Sequence, residues 1–219
     1  MKQVGKSSHD QTISQQMTNL PNLLTYLRFV MSMVVFALIF AADKYPQYYG
    51  WYLAALCVFL VAALTDVLDG YIARKYKMET PFGRFADPLV DKILICGTFV
   101  FMLTYLPGDP YMKASGGGYA NLTGWMVIVI IAREFVISAI RSYAESRKIK
   151  FAAVGWGKRK MLLQSITISA ILANHAFFPG SEIYRYALTP LIWLTVAVTL
   201  FSGIIYLNRA RVLLKGEQN

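Results

Sequence analysis

Two cysteines and two histidines are all that 219 residues offer of the usual soft metal ligands and of thiol or imidazole chemistry. Cys57 and Cys96 both fall in apolar runs, with neither the spacing of a zinc site nor a disulfide framework, so buried, inert thiols are expected. His9 lies in the N-terminal stretch and His175 near the end of an apolar run; isolated as they are, neither supports catalysis. Charge is scarce as well. Only 16% of residues are Asp, Glu, Lys or Arg, too few for the water-facing surface of an ordinary soluble domain. Acid is scarcer than base, 12 residues against 22, which leaves a net charge of +10. Residues 1–19 are polar, with Lys2 and Lys6, and lack the apolar core of a secretory signal, so none is expected there.

What the chain has in excess is apolar length: 56% of it is hydrophobic and the mean hydropathy is +0.44. Uncharged runs at Phe29–Ala42, Tyr45–Thr65, Ile93–Gly108, Ala114–Ala132, Met161–Ser181 and Tyr186–Asn208 predict an all-α integral membrane protein with six transmembrane helices. A span needs about 20 residues, so the first must begin near Leu23, drawing Arg28 into the helix, and the third near Asp87. The fourth is expected to start near Leu122, because Ser115-Gly-Gly-Gly118 reads as a flexible loop, and to run past Arg133 and Glu134 towards Arg141. Residues 21–219 then form the helical domain, behind a tail of residues 1–20. In that tail Ile13, Met17 and Leu20 recur at i, i+4 and i+7, a weak amphipathic stripe suited to the membrane surface; a partly disordered tail is the alternative.

Lys and Arg fix the sidedness. The two tails hold Lys2, Lys6, Arg209, Arg211 and Lys215; the second gap holds Arg74, Lys75, Lys77 and Arg84; the fourth holds Arg147, Lys148, Lys150, Lys158, Arg159 and Lys160. The odd-numbered gaps hold only Lys44, Lys113 and Arg185. The positive-inside rule therefore puts both termini and the even gaps in the cytoplasm. The same rule accounts for the basic charge without nucleic acid, which is not expected as a partner.

Four acids gather at that boundary. Asp66 and Asp69 are three residues apart at the end of the second span, and Asp87 and Asp91 four apart at the start of the third, so each pair shares a helix face. The connection between them is polar and basic, punctuated by Pro81 and Gly83. Crowded carboxylates repel one another and need cations or shared protons. Oxygen donors of this kind suit Mg2+ or Mn2+ rather than zinc. Snorkelling of single end-of-helix acids is the bland reading, and it fits one acid better than four. Gly70, directly after Asp69, leaves room for a ligand or for close helix packing. Arg28, Arg133, Glu134 and Arg141 are the other charges inside spans. Either a buried Arg–Glu pair holds two helices together, or the arginines line a polar cavity and take phosphate, with Lys158 and Lys160 facing it too. Lys148, Lys150 and Arg159 read simply as inner-loop charge. Asn22, Thr25 and Arg28 form a polar ridge at i, i+3 and i+6 that also reads as a cap after Pro21.

Asp66-x2-Asp69-Gly70-x2-Ala73-Arg74-x8-Gly83-x3-Asp87-x3-Asp91 resembles the signature of the CDP-alcohol phosphotransferases at all eight fixed residues over 26 positions. The stretches Asn19–Arg28, Ala132–Arg141 and Gly157–Met161, with Gln164, are similar to the phosphatidylglycerophosphate synthase branch of that family, although Met161 stands where Thr is expected. The resemblance implies six transmembrane helices around a cytoplasm-facing polar cavity, a homodimer, and residence in a bacterial inner membrane. It implies two divalent cations, Mg2+ or Mn2+, on Asp66, Asp69, Asp87 and Asp91, with Asp91 also the base. Asn22, Thr25, Asp69, Gly70, Arg74, Thr80 and Gly83 match positions associated with the CDP-lipid, and Arg133, Arg141, Lys158 and Lys160 resemble ligands of the acceptor's phosphate. The implied reaction moves a phosphatidyl group from CDP-diacylglycerol to glycerol 3-phosphate. Phosphatidylglycerol, inositol phosphate or serine are the alternative acceptors. A divalent-cation transporter or a non-catalytic membrane adaptor are the readings from other classes, and the first leaves Gly70, Ala73, Arg74 and Gly83 without a job.

Overall fold

The computed structural model of the chain describes residues 8–45, 47–76, 81–106, 122–147, 156–178, 181 and 187–215, with side chains over 23–45, 47–66, 86–106, 122–147, 157, 159–178, 181 and 187–211. Six α-helices make up the described fold: α1 Ser8–Lys44, α2 Gly50–Tyr76, α3 Pro81–Tyr105, α4 Gly124–Ser146, α5 Trp156–Phe177 and α6 Thr189–Lys215. The fold is all-α, as the apolar runs predict.

The helices are longer than those runs wherever polar sequence continues them. α1 is unbroken from Ser8 through Pro21, so there is no N-terminus at Asn22 to cap. α2 continues eleven residues beyond Thr65, and α3 begins at Pro81, six residues before Asp87. Pro is well placed at α3's first turn, where its missing N–H would have no helical partner. α4 starts where expected: Thr123 takes the extended backbone of a residue preceding a helix (φ −102°, ψ 155°), and Gly124 opens the helix. The Ser115–Gly118 loop lies outside the described residues.

Helix directions follow from side-chain pairs. Thr25 meets Asp87, Arg28 meets Asp91, Phe36 stacks on Phe101 and Phe40 meets Tyr105 edge-on. Numbers rise together along both chains, so α1 and α3 run parallel, with α2 turning back between them. Tyr52 at the start of α2 meets His175 at the end of α5, and the two helices pack together, as antiparallel neighbours do. Gln164 with Thr199 and Thr167 with Thr195 set α5 antiparallel to α6, and Trp125 with Trp193 sets α4 parallel to α6. α1 packs chiefly on α2 and α3, α2 on α5, and α6 on α4 and α5. Alternating directions collect the starts of α1, α3 and α5 and the ends of α2, α4 and α6 at one end of the bundle.

Polarity is distributed inside out. Ser32, Thr98, Gln164, Thr167, Thr195, Thr199 and Ser202 are buried, several with hydroxyls bonded to the carbonyl four residues back. Outside stand Leu64 at 62% exposure, Ile128 at 66%, Phe135, Trp193, Phe201 and Ile204. Such a surface is costly in water and suited to hydrocarbon. By length and composition two described segments, Leu23–Lys44 and Thr189–Arg211, meet the requirement for crossing a membrane; Gly50–Asp66 is apolar but shorter. Cys96 is buried as expected, whereas Cys57 lies exposed on the apolar outer face with Leu53, Leu60 and Val61. His175 is buried at the end opposite the acids, its Nδ1 3.0 Å from the Ile171 carbonyl.

The α1–α3 contact depends on one missing side chain. The Phe36 ring, stacked on Phe101 with centroids 4.6 Å apart, occupies the space a Cβ at Gly97 would need. Gly97→Ala is expected to destabilise the fold by about 1–3 kcal/mol through overpacking. Thermal unfolding in detergent checks this: the midpoint falls for Gly97→Ala and recovers partly in Gly97→Ala/Phe36→Leu, where the ring is gone.

Candidate functional site

The acids meet α1. Arg28, 1% exposed, places Nη1 2.8 Å from Oδ1 of Asp66 on α2 and 2.7 Å from Oδ1 of Asp91 on α3. One turn earlier on α1, the Thr25 hydroxyl donates to Oδ1 of Asp87. The i, i+3 spacing on α1 thus matches the i, i+4 spacing on α3, as parallel helices in contact allow. Three carboxyl groups thus stand around one guanidinium, before Asp69 is counted.

Among the described residues no group of three or more His, Cys, Asp or Glu closes tightly enough to hold a metal ion. In kind, the donors fit a hard divalent cation: they are carboxylate oxygens, and Asp66 and Asp91 already share one positive charge, that of Arg28. Asp69 stands on α2 one turn beyond Asp66, with its side chain outside the described set.

A second cluster lies at the same end. Lys160 on α5 pairs with Oε1 of Glu134 on α4, and Nη1 of Arg133 is 3.4 Å from the same oxygen. Lys160 is 6% and Glu134 12% exposed. The buried pair that joins two helices is therefore Lys–Glu rather than Arg–Glu. Arg133 lies over the Tyr206 ring of α6, 5.6 Å from its centroid. α3 links the clusters: it carries Asp91 and packs against both α4 and α5.

Of the residues singled out from sequence, the structure brings Thr25, Asp66, Asp87 and Asp91 together, and separately Arg133 and Lys160. Arg141 is exposed two turns beyond Arg133 on α4. Asn22, Gly70, Arg74 and Gly83 lie on α1, α2 and α3, and Lys158 on α5, with side chains outside the described set; Thr80 is outside it altogether. Of the two readings open for Arg28, ion pairing and phosphate binding, the structure shows pairing, with acids of α2 and α3. Its signal was the ridge it shares with Thr25. Tyr206 was missed: an aromatic residue in an apolar run carries no mark of a partner on another helix.

A sequence family described as CDP-alcohol phosphatidyltransferase matches residues 18–201. The chain is 34% identical over 198 residues to a CDP-diacylglycerol–glycerol-3-phosphate 3-phosphatidyltransferase of Pseudomonas fluorescens, covering 88% of this chain and 90% of that one. It is 30% identical over 207 residues to the Bacillus subtilis protein of the same description, covering 88% and 95%. A cardiolipin synthase (CMP-forming) of Oryza sativa is 33% identical over 164 residues, covering 72% of this chain and 49% of the rice protein.

Removing one partner of a buried ion pair strands the other charge, at about 3–5 kcal/mol, whereas removing both is much milder. Lys160→Met and Glu134→Met are each expected to lower the unfolding midpoint, and Lys160→Met/Glu134→Met less than the two singles together. Thermal unfolding of the four proteins checks this; strict additivity would deny the pair.

Proposed function

This chain belongs to the CDP-alcohol phosphatidyltransferase family, and on that footing we propose that it transfers the phosphatidyl group of CDP-diacylglycerol to glycerol 3-phosphate, giving phosphatidylglycerol phosphate and CMP. It is an enzyme, so the transporter and adaptor readings fall away. The observation that carries the specific reaction is the meeting of Thr25, Asp66, Asp87 and Asp91 at the end of the bundle that also holds Arg133 and Lys160.

The helices lie in the bilayer as six spans, with residues 21–219 as the catalytic unit behind the 1–20 segment. Both termini and a polar cavity face the cytoplasm, since the basic gaps sit at the acidic end. The lipid tails stay in hydrocarbon while a soluble acceptor arrives from water. A homodimer in a bacterial inner membrane is part of the same reading.

Asp66, Asp69, Asp87 and Asp91 would hold two divalent cations, Mg2+ or Mn2+. When bound, these neutralise the CDP diphosphate and stabilise the departing phosphate of CMP. Arg28 holds Asp66 and Asp91 in place, and Thr25 orients Asp87. With Arg28 on Oδ1 of Asp91, the other carboxylate oxygen takes the proton of the acceptor hydroxyl as it attacks the lipid-side phosphorus. Asn22, Thr25, Asp69, Gly70, Arg74, Thr80 and Gly83 bind the CDP-lipid. Arg133, Arg141, Lys158 and Lys160 bind the acceptor's phosphate; with Glu134 neutralising one of the buried pair Arg133 and Lys160, a net positive charge remains for it.

Phosphatidylglycerol is the second acceptor to weigh, and a cardiolipin synthase (CMP-forming) is among the proteins similar to this chain. The basic cluster argues for a phosphomonoester instead. Purified protein is given CDP-diacylglycerol, Mg2+ and one acceptor at a time: CMP release is expected with glycerol 3-phosphate. Release with phosphatidylglycerol, serine or inositol phosphate but not glycerol 3-phosphate contradicts the assignment. Asp91→Asn is expected to stay folded and lose about 10²–10⁴-fold in turnover. Wild-type turnover by that variant would refute Asp91 as the base.

A further inference from the structure

Arg133 is seated by α6 in a way its own helix does not explain. Its Cγ lies where residue 203 has no side chain: a Cβ on Gly203 would stand 3.2 Å from it. Three residues on, Tyr206 presents its ring to the guanidinium, with Cζ 5.6 Å from the centroid. Gly203 and Tyr206 share a helix face by that spacing. Tyr206, 1% exposed, is itself fixed from α5, where a Cβ on Gly157 would stand 3.2 Å from its hydroxyl.

The consequence is visible at the guanidinium. Arg133 is 9% exposed, and Nη1 faces Glu134 at 3.4 Å, but Nε and Nη2 have no hydrogen-bond partner among the described residues. Those two nitrogens are neighbours on one edge of the planar group, and their N–H bonds point the same way. This fork matches two oxygens of one phosphate. Buried donors are rarely left unmet in a native protein, so an absent acceptor is the physical expectation.

We propose that Gly203 and Tyr206 are positioning residues that turn the Nε–Nη2 edge of Arg133 towards the phosphomonoester of the acceptor. Gly203 lets the Arg133 stem lie against the α6 backbone, and the Tyr206 ring holds the guanidinium plane by cation–π contact. This rests on the reading that the acceptor is a phosphomonoester.

The experiment is steady-state kinetics of the full-length enzyme in detergent, varying glycerol 3-phosphate and CDP-diacylglycerol separately. Wild type is compared with Tyr206→Leu, Tyr206→Phe and Gly203→Ala, each checked for folding by thermal unfolding. Tyr206→Leu and Gly203→Ala are expected to raise KM for glycerol 3-phosphate about tenfold, the loss of one such contact, while KM for CDP-diacylglycerol stays within about twofold. Tyr206→Phe, which keeps the ring, retains the wild-type KM. If Tyr206→Leu does not fold, Gly203→Ala and Tyr206→Phe carry the test alone. A fall in kcat alone, an equal rise in both KM values, or a Tyr206→Phe as impaired as Tyr206→Leu overturns the inference. A wild-type enzyme that ignores glycerol 3-phosphate while using an acceptor without a phosphomonoester overturns the acceptor reading, and the inference with it.

Discussion

One guanidinium ties three helices together. Arg28 is almost wholly buried, and a charge so placed costs several kcal/mol unless it is paired and hydrogen-bonded. Among the described residues its partners include two acids that would otherwise repel each other, one on α2 and one near the start of α3. α1 must therefore lie along α3 in the register that brings residue 28 to residue 91, and the aromatic contacts two and three turns further on keep that register. The acid-bearing end of the bundle is held by electrostatics and the remainder by close packing.

That division suits a protein whose outside is apolar. Where lipid is as hydrophobic as leucine, burying leucine drives little, and helices associate through fit and internal polar contacts. Phe36 over Gly97, Thr167 against Thr195 and Lys160 with Glu134 are contacts of those kinds, each between different helix pairs. Charge is concentrated where a reaction between anions would need it. A patch with three acids around one arginine stands at the same end as a basic cluster in which one carboxylate faces two cationic side chains.

The sequence made the number of helices and the sharing of faces within each acid pair legible, because apolar runs and spacings of three and four are local signals. It did not reveal where the helices end. Polar sequence at a membrane edge, such as the end of α2 around Arg74, remains helical but lacks the hydropathy that marks a span. The unbroken course of α1 through Pro21 was hidden too, since proline is favoured at a helix's first turn and costly in its interior. Arg28 stood out as a charge inside a span, but its partners lie 38 and 63 residues away and only the bundle reveals them. Glu134 does face an arginine, Arg133 of its own helix, but the partner that ties it to another helix is Lys160, which local spacing does not show. Tyr206 gave no signal, because its part depends on an arginine contributed by another helix.

The central claim is that the acids of α2 and α3 act on one shared centre of positive charge. Anomalous diffraction from crystals grown with Mn2+ tests it most directly. The account predicts manganese peaks about 2 Å from oxygens of Asp66, Asp87 and Asp91. Peaks elsewhere, with Asp66 and Asp91 facing different surroundings, would contradict it.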